Sequence, residues 1–140
     1  MKKFDVFDGH NDAVQSLVDY KPAGRDFLVR SETGHLDLPR ALEGSLAGGL
    51  FALHARPERQ PENDLTITSD GYEVTYTGTV DPDYARRPID GQLSAMKALI
   101  GRSSGQMRFA MSVNDIEIAR TENAIAVVLH MEGPKRSIRN

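Results

Sequence analysis

The sequence predicts a parallel α/β sheet, and three observations carry that prediction. Ser45 to Leu53 (SLAGGLFAL) is an unbroken run of small and apolar residues, as expected of a strand buried on both faces. Ala124 to Met131 (AIAVVLHM) is a second such run, stopped by Glu132-Gly133-Pro134. Helical patterns alternate with the strands in the order strand, helix, strand, insertion, helix, strand, helix, strand.

Each element has a local reason. Phe4 to Phe7 alternates weakly and reads as a short strand ending in a tight turn at Asp8-Gly9. Asn11 or Asp12 caps a helix through about Val18, with Val14, Leu17 and Val18 on its apolar face. Lys21 to Arg40 holds Pro22, Gly24, Gly34 and Pro39 and reads mostly as loop. Arg56 to Pro61 is charged and Pro-bearing. Leu65 to Thr68 and Tyr72 to Tyr76 alternate with period two around Ser69-Asp70-Gly71, the signal of a hairpin. The reading is an inserted hairpin, spanning about residues 56–88 with its flanks, in a single domain over 1–140.

Pro88 is expected to open a helix carrying Leu93, Met96, Lys97, Leu99 and Ile100 and ending near Gly101. Phe109 to Ser112 is a brief strand. Ser112 or Asn114 then caps a short helix through Ile116, Ile118 and Ala119. The chain closes at Ser137-Ile138-Arg139-Asn140, just past a buried strand, and this reads as a truncated, incomplete domain.

Composition narrows the function. The 140 residues carry no Cys, which excludes a disulfide scaffold, a thiolate zinc finger, an iron–sulfur site and a cysteine nucleophile. A net charge of −3 gives no electrostatic reason to expect nucleic acid. No apolar run approaches the roughly 20 residues of a membrane span. Lys2-Lys3 is followed by Asp5 and Asp8 where a signal peptide needs an apolar core, so a cytoplasmic chain with its own N-terminus is expected. Ser103-Ser104-Gly105 is not a nucleophile elbow, and there is no Gly-rich phosphate loop with its Lys.

The sharpest chemical feature is Asp8-Gly9-His10-Asn11-Asp12. Residues i and i+2 of an extended chain share a face, so His10 and Asp12 converge at the carboxyl end of the first strand. Ligands bind at that end in parallel α/β folds. Imidazole nitrogen and carboxylate oxygen suit zinc or a similar divalent ion; the other reading is a turn built from Asp, Gly and Asn. Glu132 follows a buried strand and faces the same mouth, and its two oxygens are able to bridge two cations. His35-Leu36-Asp37 repeats the His-x-Asp spacing inside a polar loop and reads as a hydrogen-bonded anchor. His54 and His130 read as satisfied histidines near strand ends. Met96, Met107, Met111 and Met131 read as core gap-fillers, and Tyr72, Tyr76 and Tyr84 as surface or hairpin residues.

These blocks resemble a known family. Phe7-Asp8-Gly9-His10-Asn11-Asp12 is similar to the opening motif of the membrane dipeptidase (renal dipeptidase) family of zinc peptidases. Gly34 to Arg40 with Gly44 and Leu46 to Ala52 resembles its second block, and His130-Met131-Glu132-Gly133 its third. The resemblance covers nearly the whole chain outside the hairpin. It implies the N-terminal part of a (β/α)8 TIM-type barrel with two bridged zinc ions and a small dipeptide substrate, including dipeptides with a C-terminal D-residue. By motif, His10 and Asp12 would bind one zinc and Glu132 would bridge both; His35 and Asp37 are not metal ligands in the family. A hydroxide held between two cations would be the nucleophile.

The family's later zinc histidines, its substrate-carboxylate Arg and an acidic partner have no match before Asn140. The expectation is therefore the N-terminal portion of a longer dipeptidase, inactive as isolated, with a homodimer open for the full-length form. The hairpin has two open roles, a lid or a dimer contact. The alternative is a non-catalytic half-barrel that binds metal or assembles. A different hydrolase family would call for His-x-His on the first strand, which His10-Asn11-Asp12 is not.

Overall fold

A computed structural model describes residues 4–18, 26–56, 65–74 and 80–132. Strands β1 (Val6–Asn11), β2 (Leu46–Leu53), β5 (Met107–Phe109) and β6 (Ile125–Met131) form one four-stranded parallel sheet. Strands β3 (Leu65–Thr68) and β4 (Gly71–Val74) form a separate antiparallel hairpin. The helices are α1 (Gln15–Val18), α2 (Leu38–Glu43), α3 (Pro82–Arg102) and α4 (Val113–Thr121). Among the described residues no helix is long and apolar enough to cross a membrane.

The strand order is β1-β2-β6-β5. The chain steps from β1 to β2, passes over one position to β5, then turns back to lay β6 between them. Right-handed crossovers taken in opposite directions lie on opposite faces of a sheet. The packing agrees. Ile125 and Val127 join a core with Met96 and Leu99 of α3, Leu38 and Ala41 of α2, and Val14. Ala124 and Ala126 join a smaller cluster with Ala119 and Ile116 of α4. Alternate strand residues point to opposite faces, so α3 and α4 cover opposite sides of β6.

Several boundaries differ from the sequence expectation. β1 does not stop at a turn at Asp8-Gly9 but runs to Asn11, with its register against β2 shifted between Asp8 and Asn11. The irregularity is a bulge in a strand, stabilised by Asp8, whose carboxylate accepts from the His10 N–H (3.2 Å) and from Asn11 Nδ2 (3.0 Å). The region read as loop to Arg40 holds the start of α2. Asp37 is its N-cap and accepts from the Arg40 N–H, and Pro39 fits the first turn. α3 starts at Pro82, not Pro88, because Asp81 caps it through the Tyr84 N–H at 2.8 Å. Pro88 is carried inside the helix without an N–H to donate. The helix runs past Gly101 to Arg102 and is capped by Ser103.

β5 covers Met107–Phe109, earlier than the expected Phe109–Ser112, because Ser112 is the N-cap of α4 and exchanges bonds with Asp115. The hairpin turn is Ser69-Asp70, and Thr75 and Tyr76 of its expected second strand lie outside the described residues. All residues of β3 and β4 are exposed, Tyr72 included. Met96 and Met107 fill the core as expected, whereas Met111 is 95% and Met131 41% exposed. The His35-x-Asp37 anchor holds through its acid: Asp37 is fully buried and His35 exposed.

The sheet is tight at Gly48 and Gly49. A Cβ on Gly48 would lie 2.7 Å from Phe7 Cε2 and 2.9 Å from both Cβ and the carbonyl oxygen of Ala126. On Gly49 it would lie 3.0 Å from Asp8 Cβ. Gly48→Ala is expected to cost about 1–3 kcal/mol, since the Ala126 backbone cannot yield. Gly91→Ala in α3, where a Cβ meets nothing within 4 Å, is expected to stabilise by about 0.5–1 kcal/mol. Urea denaturation of the two variants checks both signs.

Asp37 supplies a pH-dependent term. Burial pushes its carboxyl up, but the N–H groups of Arg40 and Ser31 and the Arg40 guanidinium together hold it below its ordinary value. The folded state thus binds this proton less tightly than the unfolded state, whose value is about 3.9. The contribution is full above that value and is lost as pH falls through the lowered folded value. The stability gap between wild type and Asp37→Asn should therefore be present at pH 7 and shrink with acidification below about pH 4.

Candidate metal centre

Three of the residues singled out in the sequence meet at one point. His10 lies in β1, Asp12 just past it, and Glu132 just past β6. Each offers a ligand atom, and these atoms lie within 4.8 Å of one another. β1 and β6 are not neighbours: β2 runs between them. Two strand spacings amount to roughly 9.5 Å, so the side chains must close the gap across β2. Ala52 is the β2 partner of His130. His10 and His130 meet with ring centroids 5.7 Å apart, edge to face.

The bulge in β1 sets the approach from the other side. Asp8 fixes the His10 backbone and the Asn11 amide, and Asn11 Oδ1 accepts from the Ala13 N–H at 3.2 Å. The extra slack in β1 carries Asp12 beyond the sheet while keeping it beside His10. His10 Nε2 and Asp12 Oδ1 are 3.6 Å apart. Two ligands of a tetrahedral zinc with bonds of 2.0–2.2 Å stand about 3.4 Å apart. The donor set is one neutral nitrogen and two carboxylates, exposed to the mouth, and it suits a borderline divalent cation. The residues present fit such an ion.

The backbone at the end of β2 is fixed with equal care. The Glu132 N–H donates to the Leu53 carbonyl at 3.0 Å, extending the β2–β6 ladder by one residue. The His54 N–H donates to Gln92 Oε1 (2.9 Å), and Gln92 Nε2 donates to the His54 carbonyl (2.6 Å). His54 Nδ1 stands 3.9 Å from Glu132 Oε2. His54 is thus held through its main chain beside the candidate ligands, and half-buried His130 packs on His10. His35 and Asp37 stay apart from the cluster, as Asp37 is committed to capping α2.

Sequence reasoning missed Gln92. The signal was present: Ala85, Ile89, Gln92, Met96 and Leu99 form one buried stripe of α3, and an amide there is out of place. It also read Asp8 and Asn11 as turn formers, when both shape the bulge.

The comparisons with known proteins identify the family. The family model for membrane dipeptidase (peptidase family M19) matches residues 1–137. A protein of Acinetobacter calcoaceticus, described as an uncharacterized protein in the PQQ-III 3′ region, is 31% identical over 91% of this chain and 40% of its own length. A Klebsiella pneumoniae protein, described by its place in the pqqA 5′ region, is 43% identical over 33% of this chain and 18% of its own. The crystal structure of a metallopeptidase called dipeptidase AC matches with a TM-score of 0.75 at 25% identity, over 96% of this chain and 36% of that one. A metallopeptidase from Rhodobacter sphaeroides, liganded with a phosphinate mimic of the dipeptide L-Ala-D-Ala, shares the fold with a TM-score of 0.75 at 23% identity, over 96% and 39%. The chain spans well under half the length of these relatives. Matched along nearly all of its residues, the chain belongs to the membrane dipeptidase family of peptidases, M19.

Proposed function

We propose that the protein to which this chain contributes is a metal-dependent dipeptidase, with zinc as the ion and two ions in the complete site. The observation that carries this reading is the meeting of His10, Asp12 and Glu132 at the carboxyl ends of two parallel strands. Divalent cations bound there would supply activation of a water and polarisation of the scissile carbonyl, which removes the need for a Ser or Cys nucleophile.

The chain's own groups have separable tasks in this reading. His10 contributes a neutral nitrogen, which binds without adding charge. Asp12 and Glu132 contribute two negative charges, offsetting part of the cation charge in a site that is open to solvent. Glu132 has two oxygens and follows the ladder bond to Leu53, so its carboxylate is suited to face two ions at once. Asp8 and Asn11 keep His10 and Asp12 on one side of the bulge. The hairpin of β3 and β4 lies in the connection that leaves the carboxyl end of β2, the end of the sheet where the ligands gather. In this reading it is an insertion at the mouth.

The test uses the complete product of the gene. Hydrolysis of a panel of dipeptides, some with a C-terminal D-residue, is expected to be abolished by a chelator and restored by zinc. Glu132→Gln is expected to lower kcat/KM by about a thousandfold or more, the several kcal/mol that metal catalysis contributes. Turnover that survives chelation, or an unaffected Glu132→Gln variant, would overturn the proposal.

A further inference from the structure

We propose that His54 is a positioning residue for Glu132, and that Gln92 is the group that holds His54 in place. The inference rests on the metal reading above and extends it to residues outside the ligand set.

Gln92 is the starting observation. It is 4% exposed and sits on the apolar stripe of α3, between Ile89 and Met96. An aliphatic residue would serve packing at that position better. Its amide instead makes two hydrogen bonds to the main chain of a single residue, the N–H and the carbonyl of His54. β2 has ended one residue earlier, so the ladder no longer satisfies these groups. Buried backbone groups without partners are costly, and Gln92 satisfies both while fixing the backbone of His54 from a helix 38 residues away.

The consequence falls on Glu132. Its backbone is tied to Leu53, the residue before His54. Its side chain, on a residue just beyond β6, is exposed and retains rotamer freedom that ligation must remove. His54 Nδ1 is the ring nitrogen facing Glu132 Oε2, at 3.9 Å. That lies within ion-pair range and beyond the roughly 2.7–3.2 Å of a hydrogen bond. Rotation of the Glu132 carboxylate by a fraction of a turn brings Oε2 into reach of an Nδ1–H. One oxygen is then oriented by the protein and the carboxylate plane is fixed for ligation. Outer-shell partners of this kind typically change metal affinity by 10–100-fold.

The experiment is a Co2+ titration of the protein followed by its visible absorption, with thermal melts run in parallel. His54→Ala is expected to weaken Co2+ binding about 10–100-fold and to alter the intensity of the bands, with a melting temperature close to wild type because the side chain is partly exposed. His54→Asn, whose side-chain amide nitrogen can occupy the place of Nδ1, is expected to recover most of the affinity and the spectrum. Gln92→Met is expected to weaken binding in the same direction and to lower the melting temperature as well. If wild type binds Co2+ and His54→Ala binds it equally well with the same spectrum, the positioning role is overturned and the metal reading stands. If wild type takes up no Co2+, both fall together.

Discussion

The site depends on how closely two strands can lie against a third. β2 carries Gly48-Gly49 at the level where Phe7 and Asp8 of β1 press from one side and Ala126 of β6 from the other. With no Cβ at either position, Phe7 and Asp8 can pack closely onto β2. His10 and Glu132 come from strands that are not hydrogen-bonded neighbours, yet their ligand atoms meet across the strand between them.

What could be read from the sequence divides along the same line. β2 and β6 were legible because their apolar runs are local properties, and Glu132 was legible because an acid directly after such a run has one place to go. His10 and Asp12 were legible as a pair but not as a bulge, since the bulge is defined by the register against β2, some 40 residues away. The start of α2 was hidden because Pro39 and Gly34 outweighed the capping signal of Asp37, whose burial is a tertiary fact. α3 was placed six residues late because Pro88 looked like a first-turn proline, and the cap at Asp81 was overlooked. Gln92 shows the general limit. Its bonding partner lies 38 residues back, and pattern reading supplies only the anomaly of an amide on an apolar stripe.

The strand order adds a constraint that the alternation of elements does not reveal. Alternating strands and helices are compatible with a sheet wound in one direction and with a sheet that reverses. Here the return of β6 between β2 and β5 sends α4 to the face opposite α3. β6 therefore receives packing on both faces, with Ile125 and Val127 in one cluster and Ala126 in the other. The strand that delivers Glu132 is thus internal to the sheet and covered on both faces at its base. β5 pairs only with Ile125 to Val127, which leaves the upper half of β6 unaccompanied on that side among the described residues.

The separation of the ligands along the chain has a consequence for folding. His10 and Asp12 come from the first strand, and Glu132 from the end of the last. An ion shared among them would act as a staple closing a loop of about 120 residues. In a chain without a cysteine, such a staple is the counterpart of a long-range disulfide, which in loops of this size is associated with about 4–5 kcal/mol. The free energy of occupying the site is then also free energy of folding. The ion would be selected by the finished sheet while helping to finish it.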